Sequence, residues 1–545
     1  MSLILIGPPG SGKSSALASA IFENVKENLS KHNFLILSYT HASLRAISSK
    51  LKKFDLEIKN STIHSLAFSL CPRFDLYDDD DDDNNTVVSI NEIAHFFTTK
   101  GLPFEVTEYN EDPLSLFDIT TYTHSEQIGN RLYNAFRYIR HTVTFFEAFR
   151  YTDYWDTENY KLHFYQVYTT HCMKAFKIDL DVNEAYSIFC EYLEFLYESF
   201  KYDFEKMIEV GIIELLNNSK AVEKIKKNGV KVIIVDEFQD MTNLMLLFVL
   251  CLSEYFDIWL SGDLDQTIYD FAGVDRSFIL RSLRKISNWY IQLDVSYRVP
   301  ELIFKKALAL IGKDYKTNKP GGKIKIISQV ELYDVLSKSI TEPTLFLCRV
   351  SHFFPHDLLN SLSLFYSYAA RGTVNTNMPS WYNYYEELKN KELTRKNLHF
   401  FVKILQKLGY ISILSAEDEV ELVSIIKENG KTSKKTSKKN LLSDCARRVM
   451  YCLDRVDDVF YDYYRFQFLK VKNMRKSNLL IATIHASKGG EAKNVIVDMR
   501  ITKSCLDSKC EKNVLYVAFT RSSENLYLYV PSAGLSYFSV FNLLD

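Results

Sequence analysis

Short apolar runs ending in acids, glycines or hydroxyls recur along the chain, and helical spacing of apolar residues follows several of them. LILIG at 3–7, FLILS at 34–38, KVIIVDE at 231–237 and IWLSGD at 258–263 read as strands. So do LFLC at 345–348, LLIATI at 479–484, NVIVDM at 494–499 and NLYLYV at 525–530. Unbroken apolar runs of this length are what strands covered on both faces require. SSALASAIFENVKENL, after the first run, has apolar residues at helical spacing, and a second helix is predicted from near His41. Strand-helix alternation predicts an α/β protein with parallel sheets and helices on both faces.

Two stretches break this grammar. Residues 71–205 are rich in Tyr and Phe, with helical patterns such as EAYSIFCEYLEFLYESF at 184–200, and residues 371–474 are helical and aromatic with a lysine-rich KENGKTSKKTSKKN at 427–440. They read as insertions into two discontinuous cores, one built from 1–70 and 206–285 and the other from 286–370 and 475–545.

Composition narrows the class. A chain of 545 residues is too long for one core, and roughly three or four folding units are expected. Lys plus Arg (66) against Asp plus Glu (68) gives a net charge of −2, which excludes a polybasic binder but leaves room for a local basic groove. No apolar run approaches the ~18 residues of a membrane span. MSLILIG enters a glycine-rich loop without the pattern of a signal peptide, so no leader is expected. The nine cysteines include no CxxC pair and read as reduced, buried thiols, which fits a bacterial or archaeal cytoplasm, or a host cytoplasm for a viral gene. The run Asp78 to Asp83 reads as a solvated loop rather than a metal site.

Gly7-Pro8-Pro9-Gly10-Ser11-Gly12-Lys13-Ser14 satisfies GxxxxGK[ST] between a predicted strand and a predicted helix. Glycines there let backbone N–H groups converge on phosphate oxygens, and the helix adds its positive end. Lys13 is expected to reach the β- and γ-phosphates of ATP and the Ser14 hydroxyl to ligand Mg²⁺. Asp236 closes a buried strand and is placed to hold Mg²⁺ through water, while Glu237 beside it could orient or deprotonate the attacking water.

With VDEFQD at 235–240 in view, the chain resembles superfamily 1 DNA helicases of the UvrD/Rep/PcrA group. SYTHASLRAISSKL (38–51) resembles motif Ia of that family and STIHSLA (61–67) motif Ib. LSGDLDQTIYDFAGVD (260–275) is similar to motif III, LDVSYRVPELI (293–303) to motif IV, IATIHASKGGEAKNVIV (481–497) to motif V and LYVAFTRSSENLYL (515–528) to motif VI. The resemblance implies two RecA-like P-loop NTPase cores: 1A from 1–70 and 206–285 with a helical insertion 1B at 71–205, and 2A from 286–370 and 475–545 with a reduced insertion 2B at 371–474.

It also implies roles. Gln266 would sense the γ-phosphate, Arg298 and Arg521 would act as arginine fingers from the second core, Tyr297 would stack on the base and Glu491 would bind the ribose. Tyr39, Thr40, His64, Tyr269, Phe271, Thr483 and His485 would contact single-stranded DNA, stacking or hydrogen-bonding without reading sequence. The activity implied is an ATP-dependent 3′-to-5′ DNA helicase or translocase on single strands and single-strand/duplex junctions. The alternative is a translocase or nucleotide-dependent switch, with little unwinding of its own, inside a repair, recombination or anti-phage complex that supplies a protein partner such as a nuclease.

Departures from the family pattern shape further expectations. Six residues precede Gly7, so either the upstream glutamine motif is absent, with purine selectivity relaxed, or the native chain starts earlier. Gly490 and Ala492 replace the larger residues common in motif V, and no nuclease-like cluster follows motif VI.

Overall fold

Backbone pairing between the apolar runs builds two mainly parallel sheets. A computed structural model describes residues 1–27, 29–38, 41–72, 86–106, 126–151, 153–287, 289–338, 342–355, 366–370, 373–377, 388–389, 395–408, 410–411, 444–459, 478–508, 510–530 and 534–541. The first sheet contains β1 (Leu3–Ile6), β2 (Phe34–Ser38), β3 (Lys59–Thr62), β4 (Val232–Asp236), β5 (Asp257–Gly262) and β6 (Tyr290–Gln292), in the order β3-β2-β4-β5-β1-β6. β1 lies between β5 and β6, with Leu3 opposite Trp259 and Ile4 opposite Tyr290. The edge strand β6 thus extends this sheet past residue 285. β2 and β4 are buried along their whole length, which accounts for their unbroken apolar sequences.

After β7 (Val295–Ser296) and β8 (Lys316–Thr317), which pair with each other, the second sheet takes β9 (Lys323–Ile327), β10 (Thr344–Cys348), β11 (Tyr366–Ala370), β12 (Thr373–Asn377), β13 (Leu479–Thr483), β14 (Ala492–Asp498) and β15 (Ser522–Tyr529). Its order is β12-β11-β13-β10-β14-β15-β9, parallel except where β11 meets β12. The chain is therefore α/β with two RecA-like cores. Functional loops leave the carboxyl ends of the strands, where crevices form in such folds.

Between β3 and β4 the chain is helical: Ile90–Thr99, Ile128–His141, Glu158–Val167 with a π turn at Tyr168–Cys172, then Val182–Glu198. Rings fill its interior, with Phe136 and Phe189 centroids 5.1 Å apart and Phe164 and Phe189 5.0 Å apart. Its apolar core is continuous with that of the first sheet: Phe97, Phe136 and Phe189 belong to one cluster with Ile4, Ile63 and Ile233. Of the stretch 371–474, only parts lie within the described residues. The lysine-rich segment and the run Asp78 to Asp83 lie outside them. No helix among the described residues is long and apolar enough to cross a membrane.

A buried ionic network fastens the helical segment to the core. Arg140 donates to both Asp203 carboxylate oxygens, at 2.6 and 3.0 Å, and pairs with Glu209; none of the three side chains is more than 2% exposed. Tyr192 donates to Asp203 (3.0 Å) and Tyr154 to Glu209. Arg137 Nε and His141 Nε2 both meet Glu205 Oε1 at 2.9 Å. Removing one member strands the others as buried charges, which costs about 3–5 kcal/mol. Arg140→Met is expected to destabilise the first core by that amount, read as a lowered thermal midpoint, with Arg140→Lys intermediate because ammonium cannot fork between two carboxylates. An unchanged midpoint for Arg140→Met would show that the network contributes nothing.

Candidate nucleotide site and inter-core face

The loop Gly7–Gly12 joins β1 to the helix Lys13–Glu27. Gly10 has φ +74°, and a Cβ there would lie 2.3 Å from Arg298 Cβ, so only glycine admits the approach of the SYR segment. That segment clasps the loop: Ser296 Oγ donates to Pro9 O (2.7 Å) and Tyr297 N to Gly10 O (2.9 Å). Lys13 Nζ, buried, donates to Gly7 O (2.8 Å) and Pro8 O (3.2 Å), and Ser11 is likewise buried.

At the end of β4 the acids converge. Ser14 Oγ donates to Asp236 Oδ2 (3.3 Å), and Ser261 Oγ to Asp236 Oδ1 (2.6 Å). Burial, with help from Glu237, pushes the Asp236 carboxyl up to about 6. A hydroxyl and a carboxylate placed together, with the carboxylate charge poorly compensated, suit a small divalent cation that keeps several waters. Glu237 adopts a left-handed conformation (φ 56°, ψ 45°) and accepts from Gln239 Nε2 at 2.6 Å. Burial alone would raise its carboxyl, yet Lys13, Lys488, Gln239 and Arg521 outweigh it and hold Glu237 below the usual range. Gln239 Oε1 accepts from Asp263 N (2.9 Å), and a Cβ on Gly262 would lie 2.4 Å from that oxygen, so residue 262 has no room for a side chain.

The second core completes the site. Arg521, fully buried, donates from Nη2 to Gln266 Oε1 at 2.9 Å, while Gln266 Nε2 donates to Asp263 Oδ2 at 2.8 Å. Arg521 is further fixed by Val517 O (3.0 Å) and Gly490 O (3.3 Å). Burial and the neighbouring Arg298 bring its guanidinium down to about 9. Arg298 Nη1 lies 3.5 Å from Glu491 Oε2. Tyr297 is 64% exposed and presents an open ring face beside the loop.

Beside the inter-core contact, Tyr269, Phe271 and His485 form a ring cluster with centroids 5.3–5.9 Å apart. Thr483 Oγ1 accepts from Ala486 N (3.2 Å) and so holds the turn that carries His485. His64 departs from the expectation of a strand contact. It is 4% exposed, edge-on to Phe204 at 5.7 Å, and burial pushes it down to about 3. Its helix, Ile63–Leu70, turns this residue inward against the helix Phe204–Asn217, away from any open face. Tyr39 and Thr40 lie outside the described residues.

The structure thus brings Lys13, Ser14, Asp236, Glu237, Gln266, Arg298, Arg521, Tyr297 and Glu491 around one crevice. Gln239, Asp263 and Lys488 join them without having been singled out in the sequence. Their signal was present, since each is a polar residue inside a quoted motif, two or three positions from an assigned one.

The raised Asp236 carboxyl has a sign that can be tested. Its folded value, about 6, exceeds its ordinary 3.8, so its charge penalises the fold fully above pH 6, and the penalty fades as pH falls towards 3.8. Asp236→Asn is therefore expected to stabilise the protein without added nucleotide at pH 7.5, by about 1–3 kcal/mol. The gain should shrink towards pH 4, as followed by thermal midpoint. No gain at neutral pH would contradict the assigned burial cost.

Comparison with known proteins agrees with this fold. The family model for the UvrD/REP helicase N-terminal domain matches residues 1–287, and that for the UvrD-like helicase C-terminal domain matches residues 478–529. No curated protein matches the chain. The first match alone covers more than half of the chain, from the phosphate loop to the threshold of the second core. The chain belongs to the UvrD/REP helicase family.

Proposed function

We propose that this nucleotide-using, DNA-binding helicase is a single-strand-stimulated ATPase that moves 3′ to 5′ on DNA by opening and closing its two cores. The observation that carries the reading is the Arg521–Gln266 hydrogen bond, 2.9 Å across the inter-core face and beside Glu237. A finger from one core meeting a polar sensor from the other makes the site complete only when the cores are together.

In this reading the amides of Gly7–Gly12 and Lys13 hold the phosphates, Tyr297 stacks on the base and Glu491 binds the ribose. Ser14 and Asp236 would hold Mg²⁺, which would supply charge neutralisation to the phosphates. Glu237, kept ionised by the cations around it, accepts a proton from the attacking water. Gln266 senses the γ-phosphate and is tied to Arg521 by a hydrogen bond, while Arg298 and Arg521 stabilise charge as it moves to the leaving oxygen. Stacking on Tyr269 and Phe271, with Thr483 and His485 beside them, suits a motor because every base has a π-face. Tyr39 and Thr40 would extend that track. Polarity rests on the likeness of 260–275 and of the later motifs to the UvrD/Rep subgroup. The short 2B-type stretch favours a second outcome, movement on single strands and at junctions with little unwinding until a nuclease or another repair or defence subunit is bound.

Lys13→Ala should abolish turnover, and Glu237→Gln should bind ATP while hydrolysing almost none. Full turnover by Glu237→Gln would remove the base from the scheme. Arg521→Ala should lower kcat about 10³-fold while changing ATP affinity little, because a finger acts as charge moves in the transition state. Equal losses in affinity and rate would make Arg521 a plain binding residue. Polarity is read by streptavidin displacement from either end of a single strand, together with strand displacement on 3′- and 5′-tailed duplexes. The 3′-tailed substrate and displacement from the 5′ end should be favoured, and the opposite preference would reverse the assignment.

A further inference from the structure

Lys488 lies on the turn between β13 and β14, a turn closed by bonds from Ser487 N to Thr483 O (3.0 Å), Lys488 N to His485 O (3.2 Å) and Gly490 N to Ser487 O (2.9 Å). From this fixed base its side chain crosses to the first core. The ammonium pairs with Asp240, donates to Gln266 O at 2.7 Å and stands 5.3 Å from the Tyr269 ring centroid. Each partner matters for a different reason. Asp240 N donates to Glu237 O (3.0 Å), closing the single 3₁₀ turn that holds Glu237 in its left-handed conformation. Gln266 carries the side chain that receives Arg521. Tyr269 belongs to the ring cluster on which His485, three residues before Lys488, is packed.

The Lys488 and Asp240 side chains are each about 10% exposed, so this is an enclosed contact and not a solvated surface pair of negligible worth. One turn therefore touches the strand-facing rings through His485, the acids of the first core through Lys488 and the Arg298 finger through Glu491.

We propose that Lys488 is a positioning residue for hydrolysis, tying the turn that carries His485 to Asp240 and Gln266 so that engagement of a DNA strand sets the place of Glu237. The inference rests on the ATPase reading above and deepens it. An ammonium that bridges the water-activating turn and the sensor backbone changes their relative position whenever the second core shifts.

The test is ATP hydrolysis by the full chain across a titration of oligo-dT, with binding of a fluorescent ATP analogue measured in parallel. Lys488→Met should lower kcat at saturating DNA about 100-fold, the cost of a small misplacement of reacting groups. Its KM for ATP should stay within about threefold of wild type, which separates positioning from binding. Lys488→Arg should recover most of the rate by restoring the cation. Asp240→Asn should reproduce the loss, and the double variant Lys488→Met/Asp240→Asn should be no slower than either single one, as for residues acting through one contact. A Lys488→Met kcat near wild type, or losses that multiply in the double variant, would overturn the proposal while leaving a DNA-stimulated wild type intact. A wild type that hydrolyses no ATP on DNA would overturn the ATPase reading as well.

Discussion

Three buried carboxylates, Asp236, Asp240 and Asp263, and the half-buried Glu237 crowd together at the carboxyl ends of β4 and β5, and the rest of the site is an answer to that crowding. Burial raises Asp236 and Asp240 to about 6 and raises Asp263 as well. Only Glu237 is held below its usual range, because the nearby charges of Lys13, Lys488 and Arg521 and the hydrogen bond from Gln239 outweigh its burial. Two of those three cations belong to the second core. The acids of the first core are thus incompletely compensated by their own domain, and attraction across the crevice supplies what is missing. In a low-dielectric interface this attraction is strong enough to matter and steep enough with distance to be broken by a small separation. A motor needs both properties.

Much of the site was legible in the sequence because its parts sit at strand ends, where a local pattern fixes three-dimensional position. The phosphate loop follows an apolar run, Asp236 and Glu237 end another, and Gln266 lies just beyond a third. Parallel pairing of β1, β4 and β5 then brings those ends together. Arg298 and Arg521 were legible through family likeness, and the Arg521–Gln266 contact gives that likeness a physical form.

Other features depend on partners far away in the chain. His64 sits in a motif expected to touch DNA, but the helix that buries it starts 140 residues later, at Phe204. Asp240 and Lys488 are 248 residues apart, and neither spacing nor periodicity links them. The edge strand β6 was hidden for a different reason. Its residues Tyr290, Ile291 and Gln292 are exposed, so it lacks the buried apolar signature by which the inner strands were recognised.

The helical segment between β3 and β4 reads in sequence as an insertion, yet it has no interior of its own. Its rings pack into the same cluster as the first sheet. The His141 ring shares a hydrogen bond with Thr242 at 3.1 Å, just past Asp236, Glu237 and Asp240, and Asn243 donates to Thr142 O at 3.2 Å. Such a segment cannot be exchanged between relatives as a cassette, or deleted to leave a minimal motor, without opening the floor beneath the acids. A change in its length would have to be matched in the helices Ile63–Leu70, Phe204–Asn217 and Asn243–Ser253, which share its core.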